Sequence, residues 1–147
     1  EASRAVVVSG GKVLLTYESA TDRYAIVGGG VEKDEAAWAC CVREVAEETG
    51  YVVEPSACYL TVSELYGKIK FTSYYFECSV VGQTEVALTE AEAARGLRAE
   101  WVDINAALDV FSHYDDYAES DVIRNGTYLR EYVALTQYLE YKKSLEL

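Results

Sequence analysis

The residues that decide the fold run from Gly29 to Tyr51 and read GGVEKDEAAWACCVREVAEETGY. Glycines open this stretch, so its backbone can come close to a ligand. Asp34 has the side chain of a helix N-cap, and it predicts a helix that begins there. Gly50 predicts the end of this helix directly after Thr49. We therefore expect a glycine loop that leads into a single helix.

Three carboxylates, Glu44, Glu47 and Glu48, occupy one face of the predicted helix. Their spacing brings like charges together within about one turn, and two of them lie near the helix C-terminus, where the helix dipole also disfavours anions. A hard divalent cation would relieve this repulsion, and Mg²⁺ prefers carboxylate oxygens. A bare run of charges is more often a solvated helix face, here with Arg43 paired to Glu47.

Two other sets of residues define how this helix should pack. One set recurs at helical spacing and is predicted to face the core: Trp38, Val42, Val45 and Thr49. The other set is small and continues the acidic face, which it should leave open: Ala37, Cys40 and Cys41.

Outside this region the chain predicts short strands and two more helices. The strands are expected at residues 5–8, 12–17, 24–27, 57–65, 69–80 and 101–104, with a hairpin turn at Gly10-Gly11. The helices are expected at residues 105–110 and 120–141, and residues 82–99 should form a polar loop with one helical turn. The long helix should bury an apolar stripe of Leu129, Tyr132, Val133, Thr136 and Leu139 or Tyr138. This pattern predicts one α/β (α+β) domain over residues 1–147, a mixed β-sheet sandwiched between helices.

The composition restricts the partners of the protein. Its net charge of −12 repels nucleic acid backbones and anionic membranes, so neither long nucleic acid nor a membrane is expected as a partner. A phosphate-bearing substrate would need a cation or local arginines. The cysteines match no zinc spacing and are expected to be reduced thiols of a cytoplasmic protein: Cys40, Cys41, Cys58 and Cys78.

The spacing from Gly29 to Tyr51 resembles the Nudix box, Gly-x5-Glu-x7-Arg-Glu-U-x-Glu-Glu-x-Gly-U, where U is a bulky aliphatic residue. Every fixed position of this pattern is present except the last, where Tyr51 replaces an aliphatic residue. Val27 stands where family members often have proline. The box covers about a sixth of the chain. The order of strands around it also looks like the Nudix fold, from Ala5 to the C-terminal helix.

The resemblance implies a metal centre built from the box. Gly28 would offer its backbone carbonyl to Mg²⁺ or Mn²⁺, and Glu44, Glu47 and Glu48 would supply carboxylates. Glu35 and Arg43 would form a supporting ion pair, for which a planar guanidinium is well suited.

Water would attack phosphorus in such an enzyme, and a glutamate would act as general base. This glutamate is Glu44 in some members of the family and a residue of a later loop in others. The loop candidates are Glu90, Glu92 and Glu100. Glu100 is favoured because it directly precedes the strand at Trp101 and would be held firmly.

Substrate contacts are predicted around the glycine loop. They are assigned to Arg23, Tyr24, Gly29, Gly30 and Tyr66. Tyr66 lies near the position where dinucleoside-polyphosphate-cleaving relatives carry a tyrosine, and Tyr17 is an equivalent candidate for the pocket wall. His113, the only histidine, lies in an aromatic and acidic segment, where it is either a substrate contact or an ordinary loop residue.

The resemblance implies a metal-dependent hydrolase that cleaves the diphosphate bond of a nucleoside diphosphate linked to another moiety. The alternative is a non-catalytic nucleotide-binding module, which would be expected to lack box carboxylates, and none is missing here. An isomerase with the same fold is disfavoured, because the additional cysteine and glutamate positions of such relatives are not identifiable. A homodimer remains open.

Overall fold

The computed structural model describes residues 1–146 and contains seven strands and four α-helices. The strands are β1 (Ala2–Ser9), β2 (Lys12–Glu18), β3 (Arg23–Ile26), β4 (Gly28–Gly30), β5 (Tyr51–Tyr66), β6 (Ile69–Gln83) and β7 (Leu97–Asp103). The helices are α1 (Ala37–Thr49), α2 (Glu90–Ala94), α3 (Ile104–Ser112) and α4 (Val122–Leu145), with a 3₁₀ helix at His113–Tyr117.

The strands form a mixed sheet in the order β3-β2-β1-β6-β5, with β4 paired to β1 and β7 paired to β2. The pairing of β1 with β6 is parallel, whereas the other pairings are antiparallel. Gly10 and Gly11 both have positive φ in the β1–β2 hairpin, as the predicted tight turn requires. The β5–β6 hairpin is long, and register shifts between Val52 and Leu60 bend it.

Two hydrophobic clusters pack on opposite sides of the sheet. One joins Val6, Leu15 and Ile26 to side chains of α3 and α4, including Phe111 and Leu135. The other cluster packs alternate residues of the same strands against α1. This alternation follows from the two-residue period of a strand. The predicted mixed sheet between helices is therefore confirmed.

The predicted start of α1 is wrong. Asp34 lies in the loop with a φ of 63°, a left-handed conformation that aspartate tolerates better than most residues. The N-cap is Ala36, whose side chain makes no capping hydrogen bond. The helix is instead fastened by Ser3, whose hydroxyl donates to the Ala37 carbonyl at 2.7 Å.

The predicted core stripe of α1 is confirmed at Val45 and Thr49 but wrong at Trp38, because the helix is rotated relative to that prediction. Trp38 is 60% exposed, whereas Cys40 and Cys41 are fully buried. Cys41 and Val45 face the sheet, and this rotation carries Glu48 into the interior, where only 8% of the residue is exposed. The acidic face is therefore partly buried.

The stripe predicted for α4 is shifted as well. Leu129 and Val133 are 41% and 36% exposed, whereas the buried residues of this helix are Tyr128, Glu131, Ala134, Leu135 and Tyr138. The buried face contains a carboxylate and two tyrosines, and a prediction based on the spacing of apolar residues does not place such residues in the core. Tyr138, one of the two alternatives for the end of the predicted stripe, is buried.

Tyr51, the departure from the aliphatic end of the box, packs against the last strand. Its ring meets the Trp101 ring edge-on at 5.6 Å, and Trp101 Nε1 donates to its hydroxyl at 3.0 Å. The aromatic pair ties the end of α1 to β7 without touching a carboxylate of the box.

Over residues 1–146 no helix is long and apolar enough to cross a bilayer. All four cysteines are unpaired, and Cys41 and Cys78 are 3.6 Å apart at sulfur.

Candidate active site

A polar cleft of about 400 Å³ lies where the glycine strand β4 meets α1, α2 and the first half of α4. Its charged residues are Arg4, Arg23, Arg95 and Arg130 together with Glu18, Glu44, Glu48 and Glu92. Four of the seven arginines in the sequence therefore line one cleft. These arginines balance the four glutamates, so the cleft is formally neutral in a protein whose net charge is −12, and an anion is repelled less there than by the protein as a whole.

Glu44 lies directly against the glycine strand. A Cβ placed on Gly29 would lie 2.4 Å from Glu44 Cδ, so this approach requires glycine. The Glu44 side chain is 13% exposed and accepts a hydrogen bond from Arg43 Nη1 at 3.0 Å. Its pKa is raised, chiefly because burial penalises the charged form.

Glu48 is the most buried carboxylate of the box, at 8% exposure. Burial, followed by the negative charges of Glu44 and Glu92, raises its pKa to about 9. Without a cation it is therefore protonated at neutral pH. A bound divalent cation would supply the missing positive charge and require the carboxylate form.

The Glu48 carboxyl should make the metal-free protein less stable as pH rises. Its pKa is about 9 in the folded chain and 4.5 when unperturbed, so its contribution is complete below pH 4.5 and is lost towards pH 9. The loss is at most about 1.4 kcal/mol per pH unit. Glu48→Gln should remove this slope and raise the Tm at pH 8. Urea unfolding in EDTA at pH 6 and pH 8 measures the pH dependence of the free energy of unfolding. An equal pH dependence in parent and variant would contradict the raised pKa of Glu48.

Arg43 and Glu35 form a bidentate ion pair. Arg43 Nε lies 2.8 Å from Glu35 Oε2, and Nη2 lies 3.0 Å from Oε1. These hydrogen bonds, with one from the Glu32 backbone N–H, lower the pKa of Glu35 to about 2. Arg43 Nη2 also donates to the Gly30 carbonyl at 3.2 Å, so this residue connects the loop, β4 and α1.

Glu47 turns towards Arg43, with its Oε2 at 3.3 Å from Nη1, and its side chain is 40% exposed. In the part of the chain that the structure describes, no three acidic, histidine or cysteine side chains converge on one point as they would around a metal. Surface pairs such as Glu47–Arg43 contribute at most about 1 kcal/mol, so turning Glu47 towards a cation would cost little.

The donor chemistry of the cleft fits a hard divalent cation. Glu44 and Glu48 line it together with the glycine strand Gly28–Gly30. Carboxylate and backbone carbonyl oxygens are the ligands that Mg²⁺ accepts, and Mg²⁺ is usually bound together with substrate phosphates. The neighbouring arginines offer partners for such phosphates.

The predicted substrate contacts divide into two groups. Gly29, Gly30 and Arg23 line the cleft, and Arg23 is held by Asp121 at 3.7 Å. Tyr24 lies on the other face of β3, with its ring centroid 4.8 Å from that of Tyr17, and does not line the cleft. Tyr66 lies in an adjoining groove and donates to Glu64 at 2.7 Å.

The general-base candidates are also separated by the structure. Glu92 lines the cleft, whereas Glu100 does not. In β7 Glu100 is paired with Leu15, so it shares the face of Leu15 towards α3 and α4, and it accepts from Arg98 at 2.9 Å. His113 also lies outside the cleft, beside Asp109 and Asp116.

Sequence reasoning missed the arginines Arg4, Arg95 and Arg130 and the carboxylate Glu18 in the cleft. Arg95, in the turn between α2 and β7, pairs with Glu18 at the end of β2 at 3.1 Å, and Arg130 lies next to the buried Glu131 on α4. Strand alternation places Glu18 on the same face of β2 as Thr16, and both residues line the cleft.

The sequence matches one protein-family model, and the structure is similar to several solved structures. The model of the NUDIX domain matches residues 1–122. An Ap4A hydrolase of C. elegans, solved as a binary complex, superposes with a TM-score of 0.61 at 16% identity, over 97% of each chain. A NUDIX hydrolase from Nitrosomonas europaea gives 0.59 at 23% identity, over 71% of this chain and 72% of that one.

A UDP-X diphosphatase gives a TM-score of 0.55 at 21% identity. The alignment covers 71% of this chain but only 50% of that one, so the match spans about half the length of this relative. No curated protein matches the sequence. At these identities the structural likenesses show the fold.

Proposed function

This chain belongs to the NUDIX domain family, a family of pyrophosphohydrolases, and we propose that it cleaves the diphosphate bond of a nucleoside diphosphate linked to another moiety. The observation that supports this proposal is the polar cleft, in which the buried Glu48 and the partly buried Glu44 lie beside four arginines. Carboxylates suit a cation and arginines suit phosphate oxygens, so the two sets together suit a diphosphate with its cation.

The proposed cation is Mg²⁺ or Mn²⁺, which Glu44, Glu48 and the Gly28 carbonyl would hold, and Glu47 would join them by turning away from Arg43. When bound, such a cation stabilises negative charge on phosphate oxygens and on the leaving phosphate. The Glu35–Arg43 pair, together with the hydrogen bond from Arg43 to the Gly30 carbonyl, holds α1 against β4, and this positions Glu44 beside Gly29. Arg4, Arg23, Arg95 and Arg130 would orient the phosphates.

The proton of the attacking water needs an acceptor, and the cleft offers Glu92 in addition to Glu44. Glu92 already accepts from the Thr89 backbone N–H at 2.9 Å in the capping box that begins α2. The negative charge of Glu92 contributes to the raised pKa of Glu48, which indicates that the two carboxyl groups are close. We therefore propose Glu92, rather than Glu100, as the general base from the later loop.

Glu92→Gln and Glu100→Gln separate these assignments. Glutamine can keep the capping box, so Glu92→Gln removes the charge with little effect on α2. We expect its kcat to fall by roughly 10²- to 10⁴-fold, with the loss of one limb of the pH–rate profile. Glu100→Gln is the matched control and should keep the parent kcat. If Glu92→Gln also keeps the parent kcat and profile, Glu44 becomes the preferred base.

The proposal is tested by a screen for diphosphate cleavage over nucleotides and nucleotide sugars with Mg²⁺ and with Mn²⁺. The names of two structural neighbours recommend Ap4A and UDP-linked compounds for the panel. Cleavage of at least one compound between two of its phosphates supports the proposed hydrolase activity. Tight nucleotide binding without cleavage of any compound would instead support a nucleotide-binding module. We also propose that the protein acts in the cytoplasm, where free thiols such as those of its four cysteines stay reduced.

A further inference from the structure

Glu131 lies in the middle of α4 and is completely buried, although its side chain is a carboxyl group. Three groups on three different elements donate hydrogen bonds to it. The Tyr75 hydroxyl of β6 lies 2.5 Å from Oε1, the Ile26 backbone N of β3 lies 2.6 Å from Oε2, and Arg130 Nε of α4 lies 3.2 Å from Oε1. The reaction at the box carboxylates assigns no role to Glu131.

The ion pair between Arg130 and Glu131 is not explained by stability alone. Taking two charges out of water can cost more free energy than their attraction offsets, and well-packed apolar residues of similar volume often stabilise a fold more. The side chains of Arg130 and Glu131 are 9% and 0% exposed, so this cost applies to both. The pair instead gives a fixed position to a guanidinium that lines the cleft.

The hydrogen bond to Glu131 leaves the outer end of Arg130 free for a ligand. Within residues 1–146 it is the only hydrogen bond that the Arg130 side chain makes. Arg130 Nη1 lies 3.5 Å from Glu64 Oε1, and this oxygen accepts no hydrogen bond from the same part of the chain. A guanidinium that is held at Nε can still donate from its outer nitrogens to a phosphate in the cleft.

Glu131 also acts on a second arginine of the cleft, through the backbone of Ile26. The Ile26 N–H donates to Glu131, and the Ile26 carbonyl accepts from Arg4 Nη1 at 3.2 Å. Arg4 lines the cleft together with Arg130. One buried carboxylate therefore holds one cleft arginine directly and fixes the strand residue to which another is bound.

We propose that Glu131 is a positioning residue of the reaction, which acts through Arg130 by holding its guanidinium in the orientation that binds a substrate phosphate. This proposal rests on the proposed function, because that function places a phosphate beside Arg130. Glu131 itself is outside the lining of the cleft, so it does not touch the substrate. An arginine that is already held when the substrate arrives loses less side-chain freedom on binding, and this lowers KM.

Glu131→Gln removes the anchor of Arg130 selectively. The amide oxygen can still accept from the Ile26 N–H and the amide nitrogen can donate to the Tyr75 hydroxyl, but this nitrogen cannot accept from Arg130 Nε. With a substrate from the screen, KM should rise about tenfold or more, the scale of one hydrogen bond to a charged group, while kcat changes by less than about threefold. If Glu131→Gln does not fold, Glu131→Asp, which withdraws the carboxylate by one methylene, should show the same rise in KM.

Tyr75→Phe is the matched control for this network. It removes another donor from the same carboxylate oxygen and leaves the bond to Arg130 in place, so it should lower the Tm but keep the parent KM. A lower Tm with an unchanged KM in the Glu131 variant would show a structural role and would overturn the proposal. An equal rise of KM in Tyr75→Phe would overturn it as well.

A double-mutant cycle shows whether Glu131 acts through Arg130. Arg130→Gln should raise KM at least as much as Glu131→Gln does. Adding Glu131→Gln to Arg130→Gln should raise KM by no more than about twofold further, because the residue to be positioned is already absent. Effects on KM that multiply independently would mean that Glu131 acts by another route, and this result would overturn the proposal.

Binding of α,β-methylene-ADP in Mg²⁺, measured by calorimetry, tests the same claim without turnover. The affinity should fall about tenfold in Glu131→Gln and stay at the parent value in Tyr75→Phe. This pattern of affinities without cleavage of any compound in the screen would count against the proposed function alone and would support Glu131 as a positioning residue for phosphate binding. Equal affinities in the parent and Glu131→Gln, or no binding by the parent, would overturn the proposal.

Discussion

Glu48→Gln is expected to lower kcat by at least about 10²-fold, the scale seen when one preorganised electrostatic group is removed. The substitution keeps the shape of the side chain but removes a carboxylate from the floor of the cleft. Glu48 is only 8% exposed, so water cannot replace the lost charge easily. The same variant should be at least as stable as the parent without metal, because the parent carboxyl is already protonated at neutral pH.

A loss of activity without a loss of stability in Glu48→Gln distinguishes a functional carboxylate from a structural one. A structural role for Glu48 would make Glu48→Gln lose stability and activity together. Steady-state kinetics at saturating Mg²⁺ and thermal unfolding in EDTA on one preparation measure both quantities. Full activity of Glu48→Gln with every substrate that the parent cleaves would show that the box does not carry catalysis in this chain.

Gly29→Ala should lower kcat by as much as about 10²-fold, which is the cost of misplacing a catalytic group by about 1 Å. A Cβ on residue 29 would lie 2.4 Å from Glu44 Cδ and within 2.7 Å of both of its oxygens. The end of a flexible side chain can move aside, so the fold should persist while the Glu44 carboxylate is displaced.

Gly82→Ala is the control for this substitution. It lies in β6, outside the lining of the cleft, and the nearest atom to a Cβ placed there is Val52 Cβ at 3.7 Å, an ordinary contact. Kinetics of both variants, with circular dichroism as the check on folding, should show the loss only at position 29. If both variants kept the parent kcat, the contact of Glu44 with the glycine strand would not matter for the reaction.

The sequence predicted the family and the mixed sheet, because the box fixes both the spacing and the types of its residues. It predicted Glu35 and Arg43 as partners for the same reason. Periodicity did not predict the rotation of α1, since Cys40 and Cys41 are small enough to bury, while Trp38 lies on the exposed side. The burial of Glu48 follows from that rotation and could not be predicted without it.

The remaining errors concern contacts between residues that are distant in the chain. Glu131 is buried in α4 because Tyr75 and Ile26, which lie on other elements, donate hydrogen bonds to it. The choice between Glu92 and Glu100 depends on the face of β7 that meets the cleft, which is set by the pairing with β2. A single sequence contains little information about such pairings.

The dependence of turnover on a divalent cation tests the central claim most directly. With a substrate from the screen, the initial rate is measured in Mg²⁺, then after excess EDTA, and again after Mg²⁺ is restored. A cation that contributes several kcal/mol to the transition state implies a rate at least about 10³-fold lower in EDTA, with full recovery. The account predicts this reversible loss, whereas undiminished turnover in excess EDTA would contradict it.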